Sequence, residues 1–126
     1  VAGAMWDAAL ETKYSNEFEQ AFQAKYKRVA SMYAAAGFDA ANLLNVAVTK
    51  LGGKVADKAA LASAVKAAGA EFQSVRGSFR FNNNNMPVQD YHAFQVIKTG
   101  ADVSMKQIAT PLKMHQDAYA AQCTLK

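Results

Sequence analysis

One cysteine, two prolines and two histidines are all that 126 residues contain of three residue types that carry crosslinks, breaks and metals. A lone Cys123 cannot close an internal disulfide, so it is either a free thiol or half of a bridge whose partner lies elsewhere. His92 and His115 are far apart in sequence, with no cysteine or paired carboxylate at ligand spacing, which argues against a metal site. Gly-x-Ser-x-Gly elbows, phosphate loops and dinucleotide fingerprints do not occur, and Ser74 has no local base to activate it. These gaps point away from an enzyme and from any cofactor. No apolar run approaches the roughly 18 to 20 residues needed to cross a bilayer. The N-terminus also lacks a basic segment followed by an apolar one, which leaves the compartment open because a mature exported protein has shed its leader.

Charge is sparse in pattern as well. The formal net charge is +4, yet the basic residues are scattered from Lys13 to Lys126, and only Lys25, Lys27 and Arg28 crowd together. Those three follow an amphipathic helix, where cations favour the C-terminal dipole, so no nucleic-acid partner is expected. What is present is a folded composition: 52% hydrophobic and 19% charged residues, enough for a single domain or a piece of something larger.

The stretch Met32 to Leu51, closed by Gly52-Gly53, organises the rest. Tyr33, Ala36, Gly37, Ala40, Leu44, Ala47 and Leu51 recur three or four apart, which predicts a helix with those residues on one buried face. Ser31 is its expected cap, and the glycine pair supplies a left-handed stop. Its first turns are thin, with Ala34, Ala35, Ala36 and Gly37 around Tyr33, so a backbone or a ligand can come close there.

Around it, Val1 to Met5 reads as the end of a strand. Asn16 and Glu19 form a capping pattern, with Ser15 competing, for a helix to about Tyr26 with Phe18, Phe22 and Tyr26 inside. Asp57 caps a third helix whose apolar side is Ala60, Leu61, Ala64, Val65 and Ala68, stopped by Gly69. Phe79-Arg80-Phe81 alternates as a strand, and Asn82 to Asn85 with Met86-Pro87 make a loop. Tyr91 to Lys98 predicts a strand covered on both faces, and Val103 to Ala109 a partner strand broken by Thr110-Pro111. Met114 to Ala121 reads as a short last helix. Phe38 is expected in the core, and Asp39 is expected to bond to a neighbouring group rather than to act as an acid.

This order of features resembles a known family. The segments Tyr33-x-x-x-Gly37-Phe38-Asp39-Ala40-Ala41, Phe72-x-Ser74-Val75-x-Gly77-x-Phe79-x-Phe81 and Pro87-Val88-Gln89-Asp90 are similar to the C-terminal part of periplasmic binding proteins of the branched-chain-amino-acid type. Phe-Asp-Ala-Ala and Ser-Val-x-Gly carry most of the weight. The closing stretch from Ile108 to Cys123 resembles a branch associated with aromatic or small organic acids.

The resemblance implies an α/β fold, the C-terminal portion of a two-lobed type I periplasmic binding protein, helix-rich to residue 70 with strands near 72–109. Residues 1–14 would end a second-lobe strand and the hinge connection, 15–90 would be a first-lobe helical segment, and 91–126 the return to the second lobe. It implies a periplasmic solute-binding component of an ATP-driven importer, closing over an amino acid or small carboxylate and delivering it to a membrane permease. The N-terminal part of the same protein would be missing, and self-association of the fragment is expected. Tyr33 is the implied solute contact, Met32 and Gly37 line the same helix end, and Trp6 is placed near the hinge. Two departures stand out: Lys27-Arg28-Val29-Ala30 lacks the glycine and proline common there, and Asn82 sits where relatives often have aspartate. A ligand-sensing domain of the same fold, coupled to a receptor or regulator, is the alternative, and a free-standing helical interaction module is a third.

Overall fold

The computed structural model describes residues 1–124. Its elements run β1 (Ala2–Ala4), α1 (Lys13–Tyr26), α2 (Met32–Lys50), α3 (Lys58–Ala68), β2 (Phe79–Phe81), β3 (Pro87–Thr99) and β4 (Asp102–His115). A short 3-10 turn at Ala120–Gln122 follows. The chain is thus a mixed helix and strand unit in which one short strand precedes three consecutive helices and the other strands follow them.

β3 is the axis of a four-stranded sheet, and every pairing is antiparallel. β4 runs along one edge of β3. β2 and β1 follow one another along the other edge, with Phe81 opposite Pro87, Phe79 opposite Gln89, Ala4 opposite His92 and Ala2 opposite Phe94. A single long strand therefore joins the N-terminus of the chain to the segment that follows the helices.

Local chemistry explains the helix limits. The Ser31 hydroxyl accepts the Ala34 N–H at 3.3 Å to open α2, and Asp57 accepts the N–H groups of Ala59 and Ala60 at 2.9 and 3.0 Å to open α3. Gly52 and Gly53 close α2 at φ of 57° and 78°, and the Gly53 N–H reaches back to the Val48 carbonyl at 3.0 Å. α1 starts earlier than its capping pattern predicts. Thr12 is the cap and accepts the Ser15 N–H at 3.2 Å, while the Ser15 hydroxyl is turned inward to accept the Trp6 indole N–H at 2.8 Å. Glu19, the supposed capping-box partner, is buried and accepts the Ala30 N–H in the link to α2 instead. Gly69 ends α3 with an ordinary right-handed backbone. A Cβ there would lie 2.5 Å from the Phe81 ring, so the glycine is required by that close approach rather than by a left-handed stop.

Trp6, Leu10, Phe18, Ala30, Ala35 and Val75 form the core between α1, α2 and the loop before β2. Trp6 meets Phe18 edge to face at 5.6 Å, and Phe18 meets Phe38 at 4.8 Å. Burying a side chain of this size stabilises by about 1.5–3 kcal/mol each.

Several expectations are corrected. α2 buries Ala35, Asp39 and Ala47; of the expected face only Ala47 is buried and Ala36 and Leu51 are half-buried, while Tyr33, Gly37, Ala40 and Leu44 are exposed. The cause is Asp39, which a purely apolar pattern places outside but which is held inside by partners described below. Phe38 is 37% exposed, so it roofs the core rather than filling it, and Tyr26 is 52% exposed at the end of its stripe. β4 passes through Thr110-Pro111 to His115 because three single-residue register shifts, between Gln89 and Phe94 on the partner, take up the extra residues there. Met114 and His115 consequently extend a strand, and only the 3-10 turn remains of the expected last helix. β3 is covered at Val88, Gln89, His92 and Phe94, but Gln95 and Val96 beyond them are exposed.

Candidate functional site

The entry to α2 is built by the residues just before it. The chain leaves α1 through Lys27 in a left-handed conformation, φ 55°, and the Lys27 N–H closes the helix on the Gln23 carbonyl at 2.9 Å. The Glu19 carboxylate then accepts the Ala30 N–H with both oxygens, at 3.1 and 3.2 Å, and takes the Gln23 amide at 2.8 Å. A buried charge-assisted bond of this kind is among the stronger ones, and it fixes where α2 begins. Lysine in the left-handed position and a carboxylate on Ala30 thus replace the glycine and proline expected of this link.

At that fixed end, Tyr33 is 77% exposed and Met32 beside it is also exposed. Gly37, one turn further, lies on the same side, and a Cβ added to it would meet nothing within 4 Å. The result is a ledge: one aromatic ring beside bare helix backbone, at the positive end of the α2 dipole. The first N–H groups of a helix have no partner inside it, so such an end favours a carboxylate. Three of the four residues singled out in the sequence, Tyr33, Met32 and Gly37, are brought together here. Trp6 is not with them. It is 1% exposed, bonded to Ser15 and packed in the core that includes Ala35, so it supports the ledge from within and presents no surface to a solute.

Behind the ledge lies a polar hub that sequence reading identified only in part. Asp39, 1% exposed, accepts the Ser74 hydroxyl at 2.5 Å, the Val75 N–H at 2.9 Å and the Arg76 Nε at 2.8 Å. The Arg76 guanidinium also donates to Gln89 Oε1 at 2.9 Å, touches Met5 Sδ at 3.6 Å and stacks 4.7 Å from the Phe79 ring. One cation therefore ties α2 to the link after β1, to β2 and to β3. The two segments that carry the family resemblance, Phe-Asp-Ala-Ala and Ser-Val-x-Gly, meet at this hub. Ser74 has a carboxylate partner, but that carboxylate is paired with Arg76, so the hydroxyl is not prepared as a nucleophile.

A second polar cluster lies on the sheet. His92 Nδ1 sits 3.0 Å from Thr110 Oγ1 and 3.2 Å from the Gln107 amide nitrogen, and Nε2 is buried and unpartnered among the described residues. Burial lowers the His92 pKa below its ordinary value of 6.5, and nearby Asp90 opposes this. No group of three potential metal ligands occurs among the described residues. An open cleft of about 650 Å³ runs between the start of α1, the 70–79 loop and Met114, and none of Tyr33, Met32, Gly37 or Trp6 lines it.

A family model described as periplasmic binding protein matches residues 1–101. A substrate-binding protein of an ABC transporter from Sphaerobacter thermophilus is 26% identical, with a TM-score of 0.80 over 90% of this chain and 31% of its own. An ABC transporter solute-binding protein from Rhodopseudomonas palustris BisB5, solved with 3,4-dihydroxybenzoic acid, is 26% identical with a TM-score of 0.80, covering 92% and 31%. A solute-binding protein from R. palustris in complex with benzoate is 25% identical with a TM-score of 0.70, covering 90% and 32%. The chain thus spans about a third of the length of each. A search of curated proteins gives no match.

Proposed function

We infer function from one premise, that the chain belongs to the periplasmic binding protein family. Its relatives are solute-binding proteins and not enzymes, and a small-molecule binding role with a membrane transporter as partner follows at that level. The finer reading is that these residues form part of an extracytoplasmic solute-binding component of an ABC importer. The solute is an amino acid or a small carboxylate, with an aromatic acid preferred. Lobe closure is the signal the permease reads: a solute touching both lobes stabilises the closed state by its differential affinity. No cofactor or metal is needed for this.

Tyr33 supplies the aromatic wall, with Met32 and Gly37 at its side, and the open N–H groups of α2 receive the carboxylate. The observation that carries this is the exposed Tyr33 ring at a helix N-terminus. The benzoate and dihydroxybenzoate of the Rhodopseudomonas relatives are solutes of matching chemistry. The lobe assignment is retained with one refinement. Pairing of β1 with β3 supports placing residues 1–14 and 91–126 together, and the 15–90 boundary falls inside β3, which carries β2 at one end and β1 at the other. That strand is the natural crossing between lobes.

The test uses the longest natural polypeptide that carries these residues and compares benzoate with benzyl alcohol by calorimetry. Benzoate is expected to bind saturably and at least about tenfold tighter, the equivalent of one charge-assisted bond. Equal affinity for the alcohol, or no saturable binding of benzoate, 3,4-dihydroxybenzoate or leucine, overturns the reading.

A further inference from the structure

β3 is interrupted on both edges over the same few residues. On one edge β2 pairs as far as Gln89 and β1 takes over at His92, so Asp90 and Tyr91 face no strand on that side among the described residues. On the other edge the register shifts against β4 fall between Gln89 and Phe94. There Met114 sits at φ 43°, a strained region for a bulky residue, and the Asp90 carboxylate accepts its N–H at 2.7 Å. A strand is held straight by a continuous ladder and bends where it is bulged, so this stretch is where β3 bends most readily.

Side chains close the gap between β2 and β1 instead. Met5, the residue after β1, receives two donors at its sulfur, the Arg76 guanidinium and Gln89 Nε2, each at 3.6 Å. Gln89 is 2% exposed, and its Oε1 accepts Arg76 at 2.9 Å. The two halves of this bridge differ in strength. Arg76 is fixed to α2 by a charge-assisted bond with buried Asp39, whereas a thioether is a weak acceptor. Swinging β1 about Asp90 and Tyr91 therefore breaks the sulfur contacts first and leaves the Asp39–Arg76–Gln89 chain whole.

We propose that Arg76 is a positioning residue for lobe closure: through Gln89 and Met5 it forms the catch that sets how far apart the lobes stand before solute binds. Resting on the lobe-closure reading above, this puts the pivot at Asp90 and Tyr91 and gives control of it to residues other than those of the ledge. The catch is made in the arrangement seen here, so it stabilises that arrangement. Removing it moves the population away, and affinity follows by linkage, because a solute binds only the competent fraction.

Energy transfer between two dyes tests this in the longest natural polypeptide that carries these residues. The dyes are placed at Ala62→Cys on α3 and Ser104→Cys on β4, both exposed and on opposite sides of the pivot, with Cys123 and any other cysteine replaced by serine. The inter-dye distance is read without and with saturating benzoate, and benzoate affinity by calorimetry. Arg76→Lys keeps a charge for Asp39 and loses the planar fork that reaches Gln89 and Met5, while Met5→Leu keeps the volume and loses the sulfur. Both variants are expected to shift the solute-free distance in one direction, away from that of the arrangement seen here, and to leave the benzoate-bound distance unchanged. Affinity is expected to change in step, by about fivefold or more for Arg76→Lys. An unchanged solute-free distance in both variants overturns the proposal. A change in affinity without a change in that distance overturns it too, since it assigns Arg76 to the fold or to the solute rather than to the pivot. If Arg76→Lys does not fold, Met5→Leu decides by the same criteria. Native protein whose distance does not respond to benzoate sinks the lobe-closure reading and the catch with it, whereas a response that both variants leave untouched sinks the catch alone.

Discussion

Replacing Asp39 by alanine strips a hydroxyl, a backbone N–H and a buried guanidinium of their shared acceptor in one step. An Arg76 side chain that is 11% exposed cannot recover its hydration, so Asp39→Ala is expected to cost about 3–5 kcal/mol in urea denaturation. A loss below about 1 kcal/mol, the size of a surface pair, would show that the hub does not hold the elements together. Asp39 was legible as a bonding residue because an isolated acid in an uncharged helix needs partners. Arg76 was not, because a cation in a loop has no local pattern that names its distant partners. His92 gives a pH prediction. Its folded-state pKa is lowered, so the unfolded chain takes up the proton first as pH falls. The stability difference is therefore fully present above 6.5 and is lost progressively as pH drops below 6.5 toward the depressed value. His92→Phe should flatten that part of the stability-pH curve, and an unchanged slope would remove His92 as its source.

For the elements, ends were easier to read than faces. Ser31, Asp57 and Gly52-Gly53 mark the limits of α2 and α3 with residues whose chemistry is local, and each stands where the sequence places it. The face of α2 was misread because apolar periodicity is satisfied on two sides and the inward side contains an aspartate. α1 was misplaced because Ser15 and Asn16 are both good caps, and only the Trp6 indole decides that Ser15 turns inward. The two caps can be separated by denaturation. Thr12→Ala is expected to destabilise by about 1 kcal/mol and Asn16→Ala by much less, and the reverse order would restore the cap read from sequence. Gly69→Ala should cost about 1–3 kcal/mol through overpacking against Phe81. Phe81→Leu in the same chain should recover part of it, whereas a stabilising Gly69→Ala would show that the helix end is free. β4 was read short because Pro111 looks like a break, and bulges that absorb a proline are set by the partner strand, which no local window contains.

At the scale of the whole molecule, the fold was legible through the order of its motifs, and two of those motifs proved to be in contact at Asp39. What local pattern could not supply is the meaning of the exposed apolar surface, since burial in a longer polypeptide and exposure in a shorter one have the same periodicity. Leu44, Val96, Val103 and Ile108 all stand open here, and the ledge at Tyr33 is one wall without an opposite wall. The central claim is that this ledge touches solute once the opposite wall is supplied. Tyr33 is exposed, so Tyr33→Ala should change stability by only about 0.5 kcal/mol, and a change in affinity then reports contact. The most direct measurement is the calorimetric titration of 3,4-dihydroxybenzoate into the longest natural polypeptide carrying these residues, into its Tyr33→Ala variant and into the 126-residue chain. Saturable binding to the first, at least about tenfold weaker binding to the second, as befits a lost aromatic anchor, and none to the third is the expected result. Equal affinity of the first two, or tight binding by the 126 residues alone, would contradict it.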